Sequence, residues 1–368
     1  MSILLFFIIL IVLIVVHEFG HFIVAKKMGI RVDEFGIGFP PRALTLWHRG
    51  ETRYTLNWLP FGGFVKIFGE NPDEASLHGQ ESARSFVNKS KFVQVLVLVA
   101  GVSFNVLLAW FIFFGVFASG AITPAGGEMR SVLNGAQLAV LQVVPASPAE
   151  QSGFMPGDII VSVASGEESV DVLTPEHATT FISEHKEKVI NFHVTRDGEE
   201  ILLLAEPRKG LIPDDSERFA IGISMGLVGD LSLSPHLAFL EATKLTWKML
   251  SAITLSLASF FASAFTLSAD LSQITGPVGI VGLVGDAASL GIVSVLMFSA
   301  FISLNLAVIN LLPIPALDGG RILFVLIEAI KGSPIKPQIG NALNTFGFAF
   351  LILLMFLVTY NDIVRIIG

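Results

Sequence analysis

Near its amino terminus the chain carries His17-Glu18-Phe19-Gly20-His21, an H-E-x-x-H pattern. The pattern closes a run from Ile3 to Val16 that holds no charge and no proline. Such a run predicts a helix, because in lipid only a helix satisfies its own backbone. Residues four apart on a helix share a face. His17 and His21 are therefore expected to point at one ion, with Glu18 beside it. Two imidazoles at this spacing suit Zn²⁺, and the glutamate can take a proton from an attacking water. The competing reading is a pair of juxtamembrane histidines that end a signal anchor. Against it, ionisable side chains inside an apolar helix are costly and mark function.

A second stretch complements the first. In Asn310-Leu311-Leu312-Pro313-Ile314-Pro315-Ala316-Leu317-Asp318-Gly319-Gly320, two prolines remove backbone donors and should unwind a helix end. Asp318 follows, with two glycines that let the backbone approach closely. A carboxylate here suits the third ligand of a two-histidine zinc, leaving a fourth position open for water. Asn310 could orient a substrate carbonyl or stabilise an oxyanion. The alternative is a helix-ending turn with Asp318 as a cap.

Composition sets the frame that must position these groups. Of 368 residues, 52% are hydrophobic and 15% charged, against about 25% charged in soluble domains. Mean hydropathy is +0.72. An integral membrane protein with some soluble mass is expected. The formal charge of −8 argues against a nucleic-acid partner. The absence of cysteine excludes disulfides, thiolate ligands and a cysteine nucleophile. The first apolar run lacks a basic leader and a small-residue cleavage site, so it reads as a retained span.

Long apolar runs are expected at 2–25, 92–118, 292–312 and 346–360, the last beginning earlier than its apolar core. Asn105 lies at membrane depth in the second and should face protein. Lysine and arginine cluster at 26–91 and again at Arg321, Lys331 and Lys336, whereas none occurs between Lys248 and Arg321. The basic loops read as cytoplasmic, and both termini and residues 119–290 as outside. The helix expected over 235–265 is read as interfacial or packed on the spans; a full crossing is the competing reading. Within the first loop, β-prone runs at 44–47 and 54–58 flank a polar turn, which predicts a hairpin. The glycine-broken Pro60-Phe61-Gly62-Gly63-Phe64-Val65 could dip into the membrane under protein cover. Its edge could pair with an extended substrate, or the hairpin could simply shield the metal.

Residues 119–230 alternate β-like runs with turns. Strands are expected at 139–144, 159–163, 189–195 and 200–205, helices after Pro145 and over 175–185, and a turn at Arg196-Asp197-Gly198. His48, His78, His177, His185, His193 and His236 fall in turns or soluble stretches and are read as surface or core residues.

Taken together, His17-Glu18-x-x-His21, Asn310-x-x-Pro313 and Leu317-Asp318-Gly319 resemble the site-2 protease family of intramembrane zinc metalloproteases, in its bacterial branch. Gly36-x-Gly38 and Leu59 to Lys66 resemble that family's membrane-reentrant β-element, and Gly276-Pro277-Val278-Gly279-Ile280 its segment before the third span. The module at 135–228, through Ser152-Gly153-Phe154-Met155-Pro156-Gly157-Asp158, looks like a bacterial PDZ domain; the resemblance implies a peptide carboxyl end bound at Gly222 and Ile223. There are departures. The sigma-E-pathway members carry two PDZ modules where this chain has room for one. The family's Gly-Pro-x-x-Asn is here Gly101-Val102-Ser103-Phe104-Asn105, and Arg321 stands where some relatives have histidine.

The expected fold is a polytopic α-helical membrane protein of about four spans, with a membrane-associated β-hairpin and an inserted extracytoplasmic α+β PDZ domain. Its expected divisions are 1–118, 119–230, 231–290 and 291–368. The expected function is zinc-dependent cleavage of membrane segments of single-span proteins, such as anti-sigma factors or remnant signal peptides, in a bacterial cytoplasmic membrane. His17, His21 and Asp318 would hold the metal, Glu18 would be the base, and Asn310 would assist. Asn105, Gly62, Gly63, Gly222 and Ile223 would contact substrate or peptide carboxyl ends, and the active site would face the cytoplasmic side. The alternative is a non-catalytic PDZ scaffold that binds partner termini.

Overall fold

In the computed structural model, residues 2–70, 74–120, 122–125, 134–170, 174–186, 188–196, 198–212, 215, 217–230, 233–266, 276–333 and 335–367 are described. The chain divides into two compact units. One holds Met1–Phe113, Ala242–Gly282 and Ser299–Gly368; the other holds Phe114–Glu241 and Leu283–Phe298.

The first unit begins with helix α1 (Ser2–Lys27). Strands β1 (Val32–Arg49) and β2 (Thr52–Ile67) follow, turning at Gly50. The expected hairpin is thus present but longer than 44–58, and it folds back on itself. Residues 34–37 pair with 53–56 on one side and with 63–66 on the other, while 42–49 pair with 52–57. Four short segments therefore lie in the order 42–49, 52–57, 32–37, 63–67, and 63–67 forms one edge. Short helix α2 (Glu74–His78) and two 3-10 turns lead to helix α3 (Lys91–Ser119). Ala25, Ile30, Val32, Phe35, Val65, Ile67, Phe86, Val97, Leu98 and Val325 form the core that ties the sheet to α1, α3 and the later helix α9.

In the second unit, β3 (Ile122–Ala125), β4 (Asn134–Val143), β5 (Ile159–Ser165), β6 (Glu168–Ser169), β7 (Ile190–Arg196), β8 (Glu199–Ala205) and β9 (Ile223–Asp230) form one sheet. Its order is β3-β9-β4-β5-β7-β8, with β6 on β5. Helices α4 (Pro148–Gln151) and α5 (Pro175–Glu184) complete it. Helix α4 starts at a capping arrangement legible in sequence: the Ser147 hydroxyl accepts from Glu150 N, and the Glu150 carboxylate accepts from Ala146 N. Leu138, Val140, Phe154, Ile160, Val163, Ile182, Ile190 and Phe192 fill the core. The middle residue of the expected 196–198 turn lies outside the described residues.

Helices α6 (Pro235–Phe265), α7 (Pro277–Ser289), α8 (Ile292–Asn310), α9 (Asp318–Lys331) and α10 (Pro337–Ile367) end the chain. Among the described residues, five helices are long and apolar enough to cross a membrane: α1, α3, α6, α8 and α10. Helix α6 joins the four expected spans in that group and is the least hydropathic of the five.

Candidate metal centre

Helix α1 presents His17 and His21 on its buried face, along with Leu13, Gly20 and Ala25. The loop between α8 and α9 brings Asp318 to them. Its two prolines leave the backbone non-helical between Asn310 and Asp318, as expected. Leu317 occupies the N-cap of α9, and no side chain caps that helix, so the cap reading of Asp318 does not hold. Gly319 and Gly320 are required for close approach: a Cβ on Gly319 would stand 2.2 Å from the Leu311 carbonyl oxygen, and one on Gly320 2.2 Å from that of Ile314.

The three side chains converge. His17 Nε2 is 3.0 Å and His21 Nε2 3.3 Å from Asp318 Oδ2, and the two ring nitrogens are 3.1 Å apart. Ligand atoms of a tetrahedral zinc, with bonds of about 2.0–2.2 Å, stand roughly 3.3 Å from one another. The triangle has that size. His21 Nδ1 donates to the Val97 carbonyl at 2.8 Å. In a neutral ring this leaves Nε2 as a lone pair aimed at the carboxylate. Asp318 Oδ2 is itself buried without a hydrogen-bond partner. Three acceptors facing one another in a dry site repel unless a cation lies among them, so the donor set and its geometry fit Zn²⁺.

Asn105 stands behind His17. It is fully buried, with Nδ2 3.4 Å from His17 Nδ1 and Oδ1 lacking a partner. Amide orientation follows from the hydrogen-bond network. With the carbonyl oxygen turned toward His17, Oδ1 accepts from Nδ1–H, the tautomer that leaves Nε2 free to ligate. Ser303 Oγ donates to the Asn105 carbonyl at 2.8 Å and joins α8 to α3 at this level.

Glu18 lies beside the cluster, close to the backbone of the 63–65 stretch. A Cβ on Gly63 would be 3.6 Å from Glu18 Cγ. The 63–67 edge of the sheet thus runs past the proposed base. Gly62, at φ +89°, packs under the Phe39 ring. No described hydrogen bond or ion pair joins Asn310 to the cluster; it ends α8, part-exposed. Gly222 and Ile223 belong to the other unit. There Gly222, at φ +87°, leaves no room for a Cβ beside Ser147 and leads into β9.

Sequence reasoning missed three contributors. Val97 holds His21 through its carbonyl, which no side-chain pattern reveals. Gly101 lies under both rings: a Cβ there would be 2.3 Å from His21 Nε2 and 2.8 Å from His17 Cε1. Gly20 does the same for the helix crossing, since its Cβ would meet the Ala100 carbonyl oxygen at 2.5 Å. Small residues within apolar runs were the available signal. Arg321, which contacts no proposed ligand, forms an ion pair with Glu70 just beyond the 63–67 edge.

A glutamate beside a His-His-Asp triad, its two histidines buried on a helix able to span a membrane, defines a metallohydrolase of the zinc-peptidase class. The model of Peptidase family M50 matches residues 5–354, and the chain belongs to that family, the site-2 protease type of zinc metalloprotease. A putative zinc metalloprotease of Clostridium perfringens is 35% identical over 352 residues, covering 96% of this chain and 95% of that protein. Zinc metalloprotease RasP of Shouchella clausii is 30% identical over 434 residues, 96% of this chain and 97% of its own. A putative zinc metalloprotease of Rhizobium meliloti is 29% identical over 382 residues, 99% and 96% of the two chains. The expectation of a multi-pass membrane zinc metalloprotease is thereby borne out.

Proposed function

We propose that this zinc metalloprotease cleaves peptide bonds within membrane segments of single-span proteins, with His17, His21 and Asp318 as metal ligands and Glu18 as general base. The observation that carries the proposal is the meeting of Asp318 with both imidazoles, at 3.0 and 3.3 Å, on elements about 300 residues apart in sequence. When bound, Zn²⁺ supplies a Lewis acid for amide hydrolysis. Glu18 takes the proton of the attacking water and returns it to the leaving amine nitrogen. Asn105 keeps His17 in the tautomer whose Nε2 can ligate. A membrane helix hides its carbonyls in hydrogen bonds, so the substrate must unwind before attack. Among the described residues no strand pairs with the outer side of 63–67. An unwound substrate added there as a strand would run past Glu18, with Gly62 and Gly63 allowing close approach. Asn310 is proposed to meet the substrate carbonyl from the end of α8.

Depth along the helices supports an arrangement of four crossings. His21 and its partner Val97 each lie six residues from a charged helix end, Lys27 and Lys91, or ~9 Å at 1.5 Å per residue. Asn105, which meets Ser303, is fourteen residues from Lys91, ~21 Å. Asn310 lies seven residues beyond Ser303, ~10 Å, and Asp318, eight residues further on, meets His17 and His21, so the end of α8 points back toward their level. Helix α8 therefore runs in the sense of α1, which requires an even number of crossings from α1 through to the start of α8. With α3 crossing back, α6 stays on one side. The basic loops at 26–91 and 321–340 then face the cytoplasm of a bacterial cell, and the termini and the 119–230 module face outward. In that module, the PDZ-like start of β9 at Gly222 and Ile223 is proposed to take peptide carboxyl ends.

Glu18→Gln tests the assignment in purified, reconstituted protein with a membrane-embedded single-span substrate. Zinc should be retained and cleavage lost by at least about 10²-fold. Undiminished cleavage ends the proposal.

A further inference from the structure

Away from the metal, the exposed side of α1 and the folded-back sheet border an open cavity of about 440 Å³. Val15, Phe19, Phe22 and Ile23 of α1 form one wall, and Phe35, Ile37, Leu46, Trp47 and Tyr54 of the sheet the other. The volume falls in the range of about 300–1,000 Å³ common to ligand sites. The only charged lining residue among those described is Arg49. Thr55, also in the lining, donates its hydroxyl to Glu34, which is also paired with Arg42. Glu51, two residues from Arg49, is engaged by Lys26 and Arg84. No described carboxylate pairs with Arg49.

We propose that this cavity binds an anionic phospholipid, its headgroup at Arg49 and one acyl chain along α1. Three observations commit the site to an amphiphile rather than to a peptide. First, the charge lies at one end: the Lys26–Glu51 ion pair puts the hairpin turn at the charged end of α1. From that level to Val15 the wall descends eleven residues, ~16 Å at 1.5 Å per residue, with apolar side chains throughout. A head at the interface and a tail running inward match that gradient. Second, the wall continues the exposed apolar stripe of α1, Leu4, Ile8, Val12 and Phe19, so a chain can enter sideways from the bilayer. Third, residues 26–66 hold seven lysines and arginines against three acidic side chains, a surface that favours anionic headgroups. The bound lipid would fill the gap between α1 and the sheet whose far edge passes Glu18. The inference needs only the membrane setting and is independent of the ligand assignment at the metal.

Trp47 lines the cavity and stacks on Tyr54 with ring centroids 5.0 Å apart, so its fluorescence reports the occupant. The chain has three other tryptophans, Trp58, Trp110 and Trp247. The full-length protein with those three changed to phenylalanine is reconstituted into phosphatidylcholine–phosphatidylglycerol vesicles, with one or the other lipid brominated. One basic side chain near a membrane surface is worth about 1 kcal/mol toward anionic lipid, about fivefold. Quenching of Trp47 should report phosphatidylglycerol preferred about fivefold. Arg49→Gln should bring the ratio to about one, whereas Arg53→Gln, on the same hairpin but outside the cavity, should leave it near the parent value. A ratio near one in the parent, or one indifferent to Arg49→Gln, overturns the proposal as ordinary bilayer contact. No quenching by either lipid overturns it in favour of a closed or peptide-filled cavity. If the triple replacement misfolds, native mass spectrometry of the tryptophan-intact protein from mixed-lipid nanodiscs decides. The roughly fivefold excess of retained phosphatidylglycerol over phosphatidylcholine should fall to about parity in Arg49→Gln, and an unchanged excess overturns the proposal.

Discussion

Replacing Gly101 with alanine adds one methyl group and should empty the metal centre. The new Cβ would stand 2.3 Å from His21 Nε2, 2.7 Å from His21 Cε1 and 2.8 Å from His17 Cε1. Carbon contacts settle near 3.5–4.0 Å, so the rings must retreat by roughly 1 Å. They have little freedom to do so, since His21 is held by Val97 and both rings face Asp318. Zinc sites tolerate ligand displacements of only about 0.2 Å. Loss of a supporting contact alone costs about 10–100-fold in metal affinity, so displacing both proposed ligands should cost at least about 100-fold. In the metal-free protein the gain of alanine over glycine inside a helix, about 1 kcal/mol, is set against the strain of displacing the rings, about 1–3 kcal/mol, so fold stability should change little. The assay measures zinc affinity by chelator competition, alongside thermal unfolding of the metal-free protein. The expected pair of results is lost zinc with an unfolding temperature shifted by no more than a few degrees. Gly115→Ala on the same helix is the control, since nothing lies within 4 Å of its added Cβ. Near-parental zinc affinity in Gly101→Ala would falsify the placement of α3 under the imidazoles. Lost zinc together with global destabilisation would mean that the damage is not local.

Other consequences are smaller or lie elsewhere. Asn105→Ala should weaken zinc binding about 10–100-fold while the helices stay folded, measured by the same competition; unchanged affinity would separate Asn105 from His17. In the second unit, Arg196 donates to both Asp158 oxygens, at 2.7 and 2.8 Å, and Asp158 is fully buried. Arg196→Met should therefore cost that unit about 3–5 kcal/mol, seen as accelerated hydrogen exchange in β4, β5 and β7; a loss under 1 kcal/mol would contradict the burial argument. Asp362 of α10 accepts from Gly276 N at 3.0 Å and Gly279 N at 2.9 Å, at the start of α7. Asp362→Ala leaves those donors unpaired at about 1–3 kcal/mol each, and exchange at the first turn of α7 should rise while α3 is unaffected.

Much of the local structure was legible in the residues themselves. An uncharged aliphatic run fixes a helix, and the i, i+4 spacing of His17 and His21 fixes their common face. The stretch from Pro145 marks a helix start, and alternation sets β5 and β7. Each is a relation between residues a few positions apart, and local backbone geometry suffices to read it. The pairing of Asp318 with the histidines was inferred from the chemistry a two-imidazole site lacks; Asp318 taken alone reads better as a cap. Only the tertiary structure brought it within bonding distance. The same holds for Val97, for the double pairing of 34–37 within the sheet, and for Gly101, whose missing side chain becomes meaningful once two rings occupy its place. The physical reason is that sequence encodes which face of an element is apolar, whereas which partner that face meets depends on chain closure across hundreds of residues. No local periodicity carries that information.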